Sequence, residues 1–194
     1  MVTLPTSFTI ISDTREQHPL KFPTHLTLLN PLKPPHARDT RVVSLHVIEK
    51  KLDIADYMLE GDKGAVYEAQ GIQGCGVVER KMSLRELAVN CLDEKRSVKF
   101  DAQLAKMRER WVYPCLLLEA DFRIWNVPAQ FADQPALVHD ALQRLCLRHN
   151  VSLQFCPAGT ITARLVLGEW TARWLINATL LHNGLYYKDA PVGA

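Results

Sequence analysis

The hydrophobic pattern of the sequence changes its period at Lys81, and this change restricts the possible folds more than any other feature. Before Lys81 the apolar runs are short and β-rich, at 8–13 and 41–52, and 55–61 is predicted as a further short strand. After Lys81, helical and strand-like segments alternate. Strands followed by such an alternation are typical of a mixed sheet that helices cover on both faces. We therefore predict an α/β fold, a three-layer α/β/α sandwich with a central mixed sheet.

The elements after Lys81 follow from periodicity and capping signals. Ser83 and Glu86 form a capping box at the start of the first helix, and we assign Glu86 this structural role. The later elements are an amphipathic helix marked by Phe100, Leu104, Met107 and Trp111, a buried strand at 113–121, a helix at 134–149, a strand at 151–156 and a long apolar helix at roughly 160–181.

Two segments before Lys81 are interpreted from their turn residues. Five prolines between Gln17 and Arg41 predict a long loop without regular structure. The segments 64–70 and 76–81 are predicted to form a hairpin, because a glycine-rich turn lies between them.

Length and composition indicate one globular domain. With 194 residues the chain can bury a sizeable core, and we expect a single domain at 1–181 and a C-terminal tail at 182–194. The five cysteines are dispersed, which favours free thiols in a reducing compartment. We find neither a signal peptide nor an apolar run of membrane-spanning length, and we expect an intracellular protein, cytoplasmic or associated with the nucleoid.

Positive charge is concentrated after the last strand of the first half. The net charge of the chain is only +2, which does not by itself indicate a polyanionic partner. Between Arg80 and Arg110, however, nine basic residues stand against five acidic ones. Such an excess attracts phosphates, although a solvated helix face is the simpler explanation.

Acidic side chains stand at the ends of the apolar strands or just beyond them. They are Asp13, Glu16, Asp56 and Glu79, and Lys81 follows the last of them by two residues. Alternation along a strand places Glu79 and Lys81 on one side of the sheet. Carboxylates held rigidly in this way suit Mg²⁺ or Mn²⁺, and a lysine beside them can orient a water or stabilise negative charge. The pattern is that of metal-dependent phosphodiester hydrolysis, with solvated strand ends as the alternative.

Three of these segments resemble a known family. The sequences "DTRE" at 13–16, "ADY" at 55–57 and "VERK" at 78–81 occur in the order of the V-D-x-R-E, G-D-Y and E-R-K motifs of the nuclease domain of XPF/Hef structure-specific endonucleases. The resemblance covers roughly 8–181. It implies a restriction-endonuclease-like fold and the hydrolysis of branched, flap or nicked DNA with Mg²⁺ or Mn²⁺ as cofactor.

The resemblance also implies roles for individual residues. The implied catalytic residues are Asp13, Glu16, Asp56, Glu79 and Lys81. The implied metal ligands are Asp13, Asp56, Glu79 and the backbone carbonyl of Arg80. We expect phosphate contacts from Arg15, Arg80, Arg85, Arg96 and Lys99.

The chain departs from the family in three respects. Ala55 stands where the family usually has glycine, and Arg85 stands where the family often has an aspartate, four residues after the motif lysine. Glycine pairs suited to helix-hairpin-helix modules do not follow residue 130, and this third departure implies a stand-alone nuclease domain, as in small phage or prophage proteins. A non-catalytic DNA-binding or dimerisation module of the same fold, and a junction-resolving or restriction-type nuclease, remain alternatives. Trp170 and Trp174 serve either as core or as a homodimer interface, since the family dimerises through this domain.

Overall fold

In the part of the chain that the structure describes, seven strands form one mixed sheet. The computed structural model describes residues 4–61, 74–119, 135–156 and 161–185. The strands are β1 (Ser7–Ser12), β2 (His25–Leu29), β3 (Thr40–Glu49), β4 (Tyr57–Leu59), β5 (Gly74–Lys81), β6 (Trp111–Glu119) and β7 (Ser152–Cys156). The helices in these ranges are α1 (Leu84–Leu92), α2 (Glu94–Arg110), α3 (Pro135–His149) and α4 (Ile161–His182). The predicted α/β architecture with a mixed sheet is confirmed.

The strand order brings distant parts of the chain to one edge of the sheet. The order is β2-β3-β1-β4-β5-β6-β7. β1 runs parallel to β3, and β5, β6 and β7 are parallel to one another. β4 lies between β1 and β5 and is antiparallel to both. Because of this direction, the start of β4 lies at the same edge as the ends of β1 and β5.

Two hydrophobic cores lie on opposite faces of the sheet. The first contains Tyr57 and Val78 and is covered by α4, whose Leu175 and Ile176 are fully buried. The second contains Val77 and is covered by α1, α2 and α3. Consecutive residues of β5 therefore contribute to different cores, as alternation along a strand requires.

The two tryptophans of α4 contribute to the first core. Trp170 and Trp174 stack with ring centroids 5.7 Å apart, and both pack against that core cluster. This contact agrees with the core alternative of the two predicted roles.

Helix starts follow the predicted capping chemistry. Ser83 Oγ accepts a hydrogen bond of 3.1 Å from the backbone N–H of Glu86, which caps α1. Asp93 Oδ1 accepts one of 2.9 Å from the N–H of Arg96 and caps α2 in the same way. The start of each of these two helices is thus fixed by one local hydrogen bond.

One predicted loop and one helix boundary are wrong. The segment between Gln17 and Arg41 contains β2 and a 3₁₀ helix at Pro35–Ala37, because no proline interrupts the alternation of buried and exposed residues at His25–Leu29. Trp111, predicted as helical, begins β6 instead. The predicted hairpin partner at 64–70 lies outside the described residues.

A glycine allows the segment after β1 to cross α4. A Cβ atom at Gly168 would overlap the backbone carbonyl of Lys21, so the two backbones can approach only because this side chain is absent. Phe22 follows directly and packs edge-on against Tyr57, with 5.6 Å between the ring centroids. The segment that follows Asp13 is therefore supported by the first core.

Within the described ranges, none of the helices combines the length and apolar character that crossing a bilayer requires.

All five cysteines are free thiols, and burial raises the pKa of the Cys91 thiol to about 12. The helix α4 ends at His182, next to the predicted domain limit at residue 181. The division into a domain and a tail remains a prediction.

Candidate active site

Three acidic residues meet where β1, β4 and β5 share one edge of the sheet. Asp13 follows β1, Asp56 precedes β4, and Glu79 lies near the end of β5. The N–H of Asp13 donates a hydrogen bond of 2.8 Å to the carbonyl of Asp56, whose own N–H donates one of 3.1 Å to the carbonyl of Val78. Backbone hydrogen bonds thus fix the relative positions of all three residues.

Glu79 and Lys81 form a buried ion pair. Lys81 Nζ lies 2.5 Å from Oε1 of Glu79, and both residues lie on the same side of β5, as alternation predicted. Burial lowers the pKa of Lys81, but the charge and the hydrogen bond of Glu79 outweigh burial and raise the pKa above its ordinary value. Lys81 therefore remains a cation at neutral pH.

Asp56 is a half-buried carboxyl group with a second carboxylate nearby. Burial and then the charge of Glu79 raise the pKa of Asp56 to about 8, although Oδ2 accepts a hydrogen bond of 2.7 Å from the N–H of Arg80. The carboxylates of Asp56 and Glu79 therefore repel each other, and the nearby positive charge of Lys81 does not offset this repulsion. A cation that contacts both would remove this repulsion.

Asp13 differs from Asp56 because a guanidinium already neutralises it. Arg15 Nε lies 2.9 Å from Oδ2 of Asp13, Arg15 Nη2 contacts the same oxygen, and the backbone N–H of Arg15 donates to Oδ1 at 3.0 Å. Burial raises the pKa of Asp13, but these contacts with Arg15 outweigh it, so the pKa lies below its ordinary value. Arg15 itself is 57% exposed at its side chain.

The side chain of Arg80 lies on the other side of the sheet from Glu79 and Lys81. Its Nε binds Oε1 of Glu119, its Nη1 donates a hydrogen bond of 2.6 Å to the carbonyl of His18, and Oε1 of Glu16 is 3.6 Å away. The Arg80 side chain is only 1% exposed. The phosphate contact that we expected for Arg80 stays a prediction, and this position does not favour it.

Glu86 does more than cap a helix. Its Oε2 accepts a hydrogen bond of 3.3 Å from the N–H of Met82, the residue before the cap residue Ser83. Its Oε1 lies 3.4 Å from Lys81 Nζ, so the same carboxylate also contacts the site. The Glu86 side chain thus binds the N–H before the cap residue Ser83 in place of that of Ser83 itself, and it makes an electrostatic contact that the sequence did not reveal.

The acidic cluster opens into a cleft of about 700 Å³. Its lining includes the predicted residues Asp13, Arg15, Glu16, Asp56, Glu79, Arg80, Lys81 and Lys99. Gln103 and Lys106, one and two turns after Lys99 on α2, also line it. Arg85 and Arg96 are exposed and do not belong to the residues that line the cleft.

The donor set is suitable for Mg²⁺ or Mn²⁺, with Asp56 and Glu79 as the principal candidates. Mg²⁺ in proteins is commonly held by one or two carboxylates and retains several waters. In the described parts of the chain, no group of three or more His, Cys, Asp or Glu side chains is arranged to hold a metal ion. Because Arg15 binds the carboxylate of Asp13, the metal role predicted for Asp13 requires that Arg15 release this carboxylate.

The residue before Asp56 adopts an unusual backbone conformation. Ala55 has a φ of 66°, in the left-handed region that favours glycine. The family motif has glycine at this position, and the chain keeps the corresponding turn with alanine at a strain of about 1–2 kcal/mol. Alanine in place of the motif glycine is therefore compatible with the turn before Asp56.

Sequence reasoning missed Glu119 and Gln103, and it did not distinguish Lys106 from the other basic residues after Lys81. Glu119 ends an apolar strand, which is the same signal that identified Glu79. Lys106 follows Lys99 by seven residues and so lies on the same face of a helix. Both signals were present in the sequence, but neither indicates which strand ends and helix faces meet.

Comparisons with solved structures reveal a similar fold. The structure described as XPF from Aeropyrum pernix in complex with DNA matches with a TM-score of 0.50 and 17% identity, over 94% of this chain and 68% of that chain. A second structure of XPF from Aeropyrum pernix matches with a TM-score of 0.49 and 18% identity, over 90% of this chain and 65% of that chain. No family model and no curated protein matches the sequence. The match to the DNA complex shows that the chain has an XPF-like fold, which confirms the resemblance at the level of the fold.

Proposed function

We propose that the chain is a Mg²⁺- or Mn²⁺-dependent endonuclease that hydrolyses phosphodiester bonds in branched, flap or nicked DNA. The main support is the group formed by the half-buried Asp56 and the buried Glu79 and Lys81, all of which line one cleft. This group is unfavourable for stability, because its two carboxylates repel each other and its charged lysine is largely removed from water. Their arrangement is suited to a reaction in which negative charge develops on a phosphate.

The carboxylates and the lysine of this group have different tasks in the proposed reaction. Asp56 and Glu79 would hold the cation, which when bound neutralises the phosphate and lowers the pKa of a coordinated water. Lys81 stabilises the negative charge that develops on the phosphate oxygens. Glu86 and Glu79 keep the Lys81 ammonium in place through contacts of 3.4 and 2.5 Å.

DNA would lie along α2 at the mouth of the cleft. Lys99, Gln103 and Lys106 succeed one another on one face of this helix, and both lysines are exposed. Contacts of this kind bind the backbone and do not read bases. The preference for branched, flap or nicked DNA depends on the sequence resemblance; the similar XPF from Aeropyrum pernix is itself described in complex with DNA.

The proposal is tested with Asp56→Asn and Glu79→Gln on forked, flap and nicked DNA in Mn²⁺ or Mg²⁺. Both variants should bind DNA and lose cleavage, because the amide removes the charge and keeps the shape. The matched control is Glu60→Gln, an exposed glutamate beyond the other end of β4, which should cleave normally. Cleavage by both purified variants at the wild-type rate would refute the proposed site.

The alternatives predict other outcomes of the same assay. A non-catalytic binding module binds DNA without metal and does not cleave any substrate. A junction-resolving or restriction-type nuclease cleaves four-way junctions or intact duplexes in preference to flaps, through the same acids. A panel of these substrates therefore distinguishes the chemistry from the substrate preference.

Homodimerisation through α4 is a further part of the proposal. Leu165, Val166 and Leu181 expose 45%, 61% and 49% of their surface on this helix. Exposed apolar side chains near both ends of the helix support a contact between two copies of the chain. Light scattering should give twice the monomer mass, and Val166→Asp should return the mass to that of the monomer. A monomeric wild type would exclude this interface.

A further inference from the structure

Arg80 is the middle residue of the E-R-K segment, and its backbone and its side chain contact different parts of the site. Its backbone N–H binds the carboxylate of Asp56 at 2.7 Å. Its guanidinium reaches the opposite side of the sheet and binds Glu119 on the neighbouring strand β6. One residue therefore contacts a candidate metal ligand and a buried carboxylate that no motif includes.

The guanidinium also holds the segment that follows Asp13. Nη1 of Arg80 donates a hydrogen bond of 2.6 Å to the carbonyl of His18 and lies 3.6 Å from Glu16. Glu16 in turn accepts a hydrogen bond of 2.9 Å from the N–H of His18. The segment from Glu16 to His18 is thus attached to β5 and, through Glu119, to β6.

These contacts leave the guanidinium poorly placed to bind DNA. The side chain of Arg80 is 1% exposed and that of Glu119 is 9% exposed. The charge of Arg80 is neutralised by Glu119, with Glu16 as a second, more distant carboxylate. A phosphate would have to displace these partners from a closed environment.

We propose that Arg80 and Glu119 are a positioning pair. Their ion pair fixes the rotation of β5 at Arg80, and the direction of the flanking Glu79 and Lys81 side chains follows from that rotation. The same pair holds the Glu16–His18 segment against the end of the sheet. This inference concerns the site of the proposed nuclease and depends on that function for its kinetic readout, but not for its structural one.

The kinetic test compares Arg80→Gln, Glu119→Gln and the double variant with the wild type. Positioning predicts that each single variant lowers kcat by about 10- to 100-fold, because small displacements of reacting groups reduce rates strongly. KM for DNA should stay unchanged. The double variant should be no slower than the slower single variant, since both changes break the same contact.

The salt dependence of DNA binding separates positioning from phosphate contact. If Arg80 binds a phosphate, Arg80→Gln reduces the slope of log K against log salt by about 1 and Glu119→Gln does not reduce it. Positioning predicts an unchanged slope for both variants. A reduced slope for Arg80→Gln alone would overturn the inference.

A control comes from a second Arg–Glu pair whose arginine also binds a backbone carbonyl, although this pair joins residues four apart on one helix and is partly exposed. Arg173 binds Glu169 on α4 at 2.6 Å and donates to the carbonyl of Thr27 at 2.8 Å, but these residues do not line the cleft. Glu169→Gln should therefore leave kcat and the salt slope at wild-type values. A loss of kcat equal to that of Glu119→Gln would attribute the effect to general destabilisation and contradict positioning.

Hydrogen exchange tests the pair without any turnover. Glu119→Gln should accelerate exchange of the amides of His18 and Leu20, which are bonded to Glu16 and to the Tyr57 hydroxyl. The amides of α3 should exchange as in the wild type. Unchanged exchange at 18–20 in a folded variant would refute the attachment. An inactive wild type with faster exchange in the variant would refute only the nuclease.

Discussion

The ammonium of Lys81 lies 2.5 Å from the carboxylate of Glu79, two residues earlier on the same strand. The side chains of the two residues are 10% and 5% exposed. An ion pair with so little solvent is held tightly by its surroundings, and Phe100 adds a contact of its ring with Lys81 Nζ at 5.7 Å from the centroid. Lys81 is therefore a fixed positive charge beside the two carboxylates of the site.

Lys81→Met should lower the single-turnover rate of cleavage by about 10²- to 10³-fold at saturating DNA, because it removes a preorganised charge. Affinity for DNA should change little, since the ammonium is buried. The rate is measured by quenched-flow with Mn²⁺, and Lys33→Met on an exposed loop serves as the control. A normal rate for Lys81→Met would show that Lys81 has only a structural role.

The stability of the metal-free protein should fall as the pH rises towards about 8. The pKa of Asp56 is about 8 in the folded state against an ordinary value of 3.8, so the folded state retains this proton more tightly than the unfolded chain. Its stabilising contribution is complete below about pH 4 and is lost as the pH approaches the folded pKa. Asp56→Asn cannot lose this proton, so its Tm should decline less than that of the wild type between pH 5 and pH 9. Parallel declines in EDTA would contradict the raised pKa.

Arg15 and a divalent cation should compete for Asp13. The guanidinium of Arg15 binds both carboxylate oxygens of Asp13. The hydrogen bond with Asp13 is the largest cause of the raised pKa of Arg15, and the charges of Asp56 and Glu79 raise it further. Arg15→Gln should therefore tighten Mn²⁺ binding, by up to about fivefold, since a pair this exposed contributes at most about 1 kcal/mol. Isothermal titration calorimetry measures the affinity, with Arg144→Gln as the control for lost charge. Weaker Mn²⁺ binding by Arg15→Gln would exclude competition.

Lys99 and Lys106 should contribute equally to DNA binding without affecting the chemistry. Lys99→Ala and Lys106→Ala should each reduce the slope of log K against log salt by about 1, because each removes one phosphate contact. Binding is measured in the Glu79→Gln background, which prevents cleavage, and Lys33→Ala is the control. An unchanged slope for both variants would place the DNA elsewhere on the surface.

Gly168→Ala should disturb the site from a distance. The new methyl group would displace the backbone at Lys21, and crowding of this kind destabilises by about 1–3 kcal/mol. Because the displaced segment also carries Glu16 and His18, cleavage should fall as well. Chemical denaturation and the cleavage rate measure the two effects, and Asn177→Ala on the exposed face of α4 should change neither. A normal rate in a destabilised variant would separate this crossing from the site.

Much of the fold could be predicted because its signals are local. The change of period after Lys81 and the Ser83 cap determine where α1 begins, and both depend on neighbouring residues only. The wrong prediction at 17–41 also relied on a local signal, the density of prolines in the segment. The five residues from His25 to Leu29 contain no proline, and they form a strand because they pair with β3, which is a contact outside the segment's own turn signals.

For the site, the sequence by itself determined that Glu79 and Lys81 share one side of a strand, because alternation is a property of the strand alone. The tertiary structure decided which other groups join them. β4 enters between β1 and β5 and brings Asp13 and Asp56 together, and β6 places Glu119 beside Arg80. Strand order and register arise from packing between distant segments, so neither the raised pKa of Asp56 nor the buried position of Arg80 could be inferred from the motifs.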